Sequence, residues 1–382
     1  MKKIICFVIV ISNIFCCAFA QSVIPNKTEL DLKCKSAILI EADTGTILYE
    51  KNSHEKLRPA SVTKVMTLLL IMESLDSGKI SLDDKVGCSE RARKMGGSQI
   101  WLNETEKLSV NDMLKAICVV SANDCSVAMA EFIAGSEELF VDMMNKRSSE
   151  LGMNDTHFVN CHGIDEDGHL TSAYDISVMS RELMKHKKIL DYTTIWMDTL
   201  RDGKSELVNT NKLIRFYDGA NGLKTGSTSI AKYNLSATAK RDDMQLIGVV
   251  MCSPTGAERF EDAKKLLDYG FANFAVNILD KAGTSVGQTE VTRGESSYVE
   301  GLIKDNVSLL GEKGMSKDVE RKVEFYSLTA PVNKDEKIGD IVYLKDGVEI
   351  ARGDIIAKDD VAGMKLLTIY KRLVDVWAKV GR

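Results

Sequence analysis

The chain has 382 residues, 50 of them basic and 55 acidic, for a formal net charge of -5. That length exceeds one ordinary domain, so two are expected. A hydrophobic fraction of 44% with 27% charged residues excludes a disordered or collagen-like chain, and the acidic balance argues against a nucleic-acid partner.

The chain opens MKKIICFVIVISNIFCCAFAQSV. Lys2 and Lys3 form a basic start, Ile4 to Cys17 an apolar core, and Ala18-Phe19-Ala20 an A-x-A cleavage site, so residues 1–20 read as an export signal. An uncleaved anchor is the rival, but the apolar core is short for a membrane span. A lipid-modified Cys16 or Cys17 would want small residues before it, and Phe15 and Cys16 do not fit. Cleavage removes two lysines with Cys6, Cys16 and Cys17, which leaves 48 basic against 55 acidic residues and six cysteines. Six cysteines in an exported chain permit fifteen pairings, yet a chain this long buries a core without staples, so free or buried thiols are expected. No C-x-x-C or His-spaced cluster marks zinc, and neither metal nor cofactor is expected.

Residues 36–50 carry two apolar runs around Asp43-Thr44-Gly45, a β-hairpin signal. Pro59-Ala60-Ser61 then leads into VTKVMTLLLIMESLDSGK, apolar nearly all round and stopped by Gly78, which predicts a buried helix. Residues 109–150 and 172–187 read as further helices. Tyr233–Lys240 and Gln245–Cys252 form a second hairpin across Arg241-Asp242-Asp243, and Glu258–Phe274 an amphipathic helix. Strands at both ends of a helical middle suggest one sheet assembled from distant segments, an α+β domain over residues 21–278. Residues 279–360 break into short β-like segments with Gly and Asp turns, Asp346-Gly347 among them. They predict a small β domain. In the tail, residues 361–382, Leu366, Ile369, Leu373, Val376 and Val380 recur at helical spacing. Five basic residues there face Asp375 alone, a net of +4. That pattern fits an amphipathic helix lying on an anionic membrane surface; a terminal helix packed on the β domain is the alternative.

Three short motifs carry the chemistry. In Ser61-Val62-Thr63-Lys64, helical spacing brings Lys64 within reach of the Ser61 hydroxyl. A lysine kept neutral there can accept the serine proton and activate it without histidine. Ser121-Ala122-Asn123 follows an apolar stretch, so a hydroxyl and a carboxamide can point into one cleft, the first to relay a proton. Lys224-Thr225-Gly226 can offer a cation, a hydroxyl and close backbone access to a bound anionic peptide end, with Gly226 keeping the strand edge open. Each alone is commonplace: a chance S-x-x-K, a helix boundary, a turn. Together and in this order they match the set S-x-x-K, S-D-N and K-T-G.

With those residues in view, the chain resembles the low-molecular-mass penicillin-binding proteins, the serine-type D-alanyl-D-alanine carboxypeptidases. RPASVTKVMT, VSANDCSVAMAE, LGMNDTHFVNCHGID, GLKTGST and RFEDAKKLLDYGF all look like that family, in its order. The resemblance implies a penicillin-recognising sheet flanked by helices, then a small β domain, then a membrane-surface anchor. It implies that Ser61 is acylated by the peptidoglycan stem peptide or by a β-lactam, with Lys64 as base and Ser121 as relay. Asn123 would contact a substrate amide, while Lys224, Thr225 and Arg259 would serve the terminal carboxylate. The backbone N–H groups of Ser61 and Ser227 would form the oxyanion hole; some relatives carry histidine at the Ser227 position. Ala122 departs from the Gly that relatives often carry there and from the Asp of β-lactamases.

The rivals are a β-lactamase, a transpeptidase and a non-catalytic wall-binding protein. Glu150-Leu-Gly-Met-Asn154 formally offers a lactamase E-x-x-x-N, but Glu150 ends a predicted helix and the added β domain makes the chain too long. The histidines, His157 and His162 above all, are expected to pack or stabilise loops rather than catalyse.

Overall fold

The structure, a computed structural model, describes residues 29–314, 319–365 and 370. The export signal and the apolar stripe of the tail lie outside the described residues. Two compact units divide the chain: residues up to Lys240 with Gln245–Leu267, and Arg241–Met244 with Asp268 onward.

The first unit is built on a five-stranded sheet. Its strands are β1 (Ser36–Glu41), β2 (Ile47–Lys51), β3 (Ala220–Thr228), β4 (Lys232–Arg241) and β5 (Met244–Ser253), in the order β2-β1-β5-β4-β3. Both expected hairpins form, and β1 pairs antiparallel with β5, Ile38 opposite Val249, so chain ends more than 200 residues apart share one sheet. β3 lies at the edge, paired only with β4, where Gly226 faces Asn234.

Helix α1 (Lys64–Asp76) is buried along its first nine residues, as a helix apolar all round must be. Around it come α2 (Val110–Val119), α3 (Asn123–Ala134), α4 (Glu137–Glu150) and α5 (Ala173–Lys185), and α6 (Gly256–Asn273) follows the sheet. Serines cap α2, α4 and α5 through their side chains: Ser109, Ser136 and Ser172. Helix α3 lacks such a cap; the polar residue at its start, Asn123, has its side chain engaged elsewhere. Val65, Met66 and Leu69 of α1 belong to one core with Met113, Ile117, Val127, Phe140 and Met179. Burying each such side chain contributes about 1.5–3 kcal/mol, so the helix behind the site is firmly held.

The second unit is all β after α6 ends. A strand pair, Phe274–Asp280 with Val307–Glu312, accompanies a six-stranded sheet with Ile303, Ile338, Ile341 and Ile355 at its core. Asp346 and Gly347 turn its longest hairpin with φ of +52° and +78°, the backbone that a two-residue hairpin turn demands. The first strand begins at Phe274, one residue inside the helix expected over Glu258–Phe274, because FAVNIL reads equally well at either period. The six cysteines among the described residues are free thiols, with Cys34, Cys118, Cys125 and Cys161 buried.

Candidate active site

Ser61 does not sit in α1. It lies in a single 3₁₀ turn, Ala60–Thr63, that leads into the helix. Ala60, at φ +50°, stops the α-helix from extending further back. The Ser61–Lys64 spacing survives this correction, because a 3₁₀ turn stacks residues i and i+3 directly. Two glycines hold the turn. A Cβ on Gly163 would lie 1.9 Å from Ala60 O, and one on Gly226 would lie 2.8 Å from both Pro59 O and Val62 N. Each of these Cβ atoms would also sit 2.9 Å from Ser61 N. Gly226 therefore lets β3 lie against the Ser61 turn, a tighter reason for glycine than an open strand edge. Asn234 on β4 adds a tie, donating from Nδ2 to Arg58 O at 2.9 Å.

Lys64 is fully buried, and its Nζ makes three contacts: Ser61 Oγ at 3.0 Å, Asn123 Oδ1 at 2.6 Å and the His162 carbonyl at 2.6 Å. Burial pushes its ammonium well below the usual lysine range, and nearby Lys224 adds to the effect. A neutral amine has two hydrogens and one lone pair. Two of its neighbours are carbonyl oxygens that can only accept, so both hydrogens go to Asn123 and His162. The lone pair is left for the Ser61 hydroxyl.

Ser121, at φ +65°, is buried, and its Oγ has no hydrogen-bond partner among the described residues. Such a strained backbone costs roughly 1–3 kcal/mol and collects at functional sites. Asn123 receives Lys64 on its oxygen and donates from Nδ2 to Gly96 O at 2.7 Å; the second amide hydrogen has no partner among the described residues.

On β3, Lys224 is buried, with Nζ donating to Thr225 O at 2.9 Å, and burial lowers its pKa to about 7 with help from Arg259. Thr225 Oγ1 donates to Thr210 Oγ1 at 2.8 Å, and Ser227 is exposed. Arg259, on α6, is buried. It donates from Nη1 to Gly226 O and Asn234 O, both at 3.3 Å, and packs on the rings of Phe260 and Tyr233. Its guanidinium thus grips the β3–β4 pair directly behind the motif, while Nε is buried without a partner among the described residues. Desolvation lowers its pKa to about 10.

Sequence reasoning missed the support beneath Lys64. Glu137, buried at the start of α4, accepts from Cys161 N at 3.3 Å, lies 3.4 Å from His162 Nε2 and takes Arg91 Nε at 2.6 Å. It pins the segment whose carbonyls receive Thr67 Oγ1 (from Cys161 O, 2.6 Å) and Lys64. The backbone N–H of Ile164 donates to His162 Nδ1, so the neutral ring carries its proton on Nε2, toward Glu137. His169 likewise accepts Val159 N on Nδ1 and faces Thr63 Oγ1 with Nε2 at 2.7 Å. Both rings stabilise the loop. Glu150, the formal lactamase glutamate, is exposed and faces Arg147 and Lys146. Among the described residues no group of His, Cys, Asp and Glu could hold a metal.

A serine hydroxyl 3.0 Å from a buried lysine amine, on an α+β sheet followed by an all-β unit, is the arrangement of a serine acyl-transfer enzyme that needs no histidine. A family profile described as D-alanyl-D-alanine carboxypeptidase matches residues 22–255, and one described as penicillin-binding protein 5, C-terminal domain, matches residues 276–362. The D-alanyl-D-alanine carboxypeptidase DacF of Bacillus subtilis is 45% identical over 367 residues, spanning 95% of this chain and 94% of that one. Penicillin-binding protein 5 from Haemophilus influenzae superposes with a TM-score of 0.73 at 32% identity, over 88% of this chain and all of the other. Penicillin-binding protein D2 from Listeria monocytogenes, in its ampicillin-bound form, matches 64% of this chain and all of its own, at 30% identity and a TM-score of 0.59. The chain belongs to the D-alanyl-D-alanine carboxypeptidase family of low-molecular-mass penicillin-binding proteins, and its enzyme class is serine-type carboxypeptidase.

Proposed function

We propose that Ser61 is the nucleophile that releases the terminal D-alanine of peptidoglycan stem pentapeptides. The observation that carries this is the three-way grip on Lys64, which aims its lone pair at Ser61 Oγ. As Oγ attacks the carbonyl of the penultimate D-alanine, the C–O bond forms and the hydroxyl proton passes to Lys64 Nζ. A positioned general base of this kind contributes roughly 10²–10⁴-fold. The developing oxyanion meets the N–H groups of Ser61 and Ser227, supported by the close approach of β3 to the Ser61 turn at Gly226; each such donor is worth roughly 10²–10³-fold. Ser121 carries the proton from Lys64 to the departing D-alanine nitrogen, and the C–N bond breaks. Water, activated by the same lysine, then hydrolyses the ester.

Lys224 and Arg259 supply the positive field for the terminal carboxylate, Thr225 its hydroxyl, and Asn123 offers its remaining N–H to the substrate amide. A β-lactam would acylate Ser61 and leave slowly, as the ampicillin-bound Listeria relative suggests. In Ser61→Ala, D-alanine release and fluorescent-penicillin labelling should both vanish; labelling that persists would refute the assignment.

The proposed division of labour is a catalytic domain at 21–278, a β spacer at 279–360 and a membrane-surface helix at 361–382, on a protein exported through residues 1–20. Support comes from the basic, apolar-striped tail beside an acidic body of 43 basic and 54 acidic residues over 21–360. Among the described residues no helix is long and apolar enough to cross a membrane. Truncation after Asp360 should release the mature protein from membranes; retention of the truncated protein argues against the tail anchor.

A further inference from the structure

Trp101 presents its ring to solvent at 76% exposure, from a backbone at φ +55°. A bulky residue in that region is an outlier, and here it is clamped on both sides. Ile100 N and Leu102 N donate to the buried Asp124 carboxylate at 3.1 and 3.0 Å. Ile100 O accepts Arg201 Nη1 at 3.0 Å. Arg201 is fixed in turn by two bonds to Glu106, at 2.6 and 2.7 Å, and by Ser205 Oγ at 2.9 Å. A buried carboxylate and an arginine thus hold an aromatic ring out in water, at a backbone cost of roughly 1–3 kcal/mol. Core packing does not explain such an arrangement.

Trp101 helps to line a cavity of about 650 Å³ between the loop at 97–101 and the hairpin Met197–Leu200/Ser205–Val208. That volume lies within the roughly 300–1,000 Å³ of small-molecule sites. Val120 and Leu207 line it with apolar surface, while Gln99, Lys204 and Glu206 bring polar groups that have no partner among the described residues. Its walls are continuous with the catalytic residues. Asn123 N donates to Ser98 O at 2.7 Å, a Cβ on Gly97 would lie 2.9 Å from Asn123 Nδ2, and Val120 precedes Ser121.

We infer that this cavity binds the amino-sugar end of a stem-peptide substrate. The inference rests on the carboxypeptidase reading above. A pyranose ring has an apolar C–H face that covers an indole, and a girdle of hydroxyl and acetamido groups. That girdle suits a carboxamide with one cation and one carboxylate at the rim. The stem joins the sugar at its N-terminus, three residues before the reacting pair, and three extended residues span at most about 10 Å. A subsite whose wall touches Asn123 is within that reach. The indole supplies rigid area at little entropic cost.

The test compares kcat/KM for D-alanine release from a disaccharide-pentapeptide and from the same pentapeptide without sugar. The wild-type enzyme should prefer the first by about tenfold. Trp101→Ala should erase the preference while leaving the free pentapeptide within twofold, and Trp101→Phe should keep most of it. Trp101→Gly suits the φ of +55°, so it removes the ring without straining the loop and guards against a folding artefact. Equal rates for the two substrates in the wild type, or an equal fall for both in the variants, would overturn the inference, the latter by assigning the cavity to the peptide. If the wild type releases D-alanine from neither, the carboxypeptidase reading fails instead. Calorimetric binding of the two ligands to Ser61→Ala still reads the cavity: tenfold tighter binding with the sugar supports it, equal binding refutes it.

Discussion

Replacing Gly226 by alanine isolates the contact on which the Ser61 turn depends. The new Cβ would lie 2.8 Å from Pro59 O and Val62 N and 2.9 Å from Ser61 N, about 0.6 Å inside the 3.4 Å where ordinary contact begins. All three are backbone atoms, so no side chain can swing aside; β3 or the 3₁₀ turn must move. Overpacking of this kind costs roughly 1–3 kcal/mol, a fall in Tm of about 2–10 °C for a unit of this size. The catalytic loss should be larger. A misplacement of about 1 Å costs up to about 10²-fold, so half that displacement at Ser61 predicts a ten- to hundredfold drop. The assay is the second-order rate of acylation by a fluorescent penicillin, run beside kcat/KM for a D-Ala-D-Ala peptide. A glycine that only kept the strand edge open would spare the small β-lactam and raise KM for the longer peptide. The turn-packing reading requires both rates to fall together, and acylation within twofold of the wild type would refute it.

Two further predictions concern protons. Burial first, then nearby Lys64, holds His162 at about 3, and burial holds His169 at about 4, against 6.5 for a free imidazole. Both are therefore neutral in the fold, so their stability contribution is complete above pH 6.5 and is lost as pH falls toward those values. The slope approaches about 1.4 kcal/mol per pH unit for each. Urea unfolding between pH 6.5 and 5, where most carboxylates stay ionised, should show it; His169→Asn should remove about half, and an unchanged slope would contradict the assignment. Lys224, near 7 in the free protein, should gain a proton when a carboxylate ligand arrives. At pH 8 the binding enthalpy of Ser61→Ala should vary with buffer ionisation enthalpy by about one proton, and not at pH 6; buffer-independent heats at pH 8 would exclude it.

The sequence displayed what depends on residue type and near-neighbour spacing. S-x-x-K, the Ser121–Asn123 pair and the Lys224 strand were legible because side-chain chemistry and order carry them. Both hairpins of the first unit showed in the alternation around Asp43-Thr44-Gly45 and Asp242-Asp243. The partners of Lys64 were not all legible. His162 acts there through its carbonyl, a group every residue has, so no residue type announces it. Glu137 reads as an ordinary first-turn acid of a helix, and only the fold shows it holding the 161–162 segment. Gly163 carried a faint signal as the glycine of CHGI, yet its partner, Ala60 O, lies a hundred residues away in sequence. The 3₁₀ turn at Ser61 escaped because apolar spacing cannot tell the last turn before a helix from its first.

The buried thiols say something about where this molecule can work. Burial pushes Cys34 and Cys118 up to about 12 and holds Cys125 and Cys161 well above the usual thiol range. Thiolates, not thiols, attack disulfides and oxidants, so these four sulfurs are chemically silent although Cys161 adjoins the residue that grips Lys64. No cross-link joins the cysteines among the described residues. The acyl-transfer site should stay equally intact in reductant and in a disulfide-forming buffer. These four buried sulfurs thus add no redox dependence to the surroundings of Lys64.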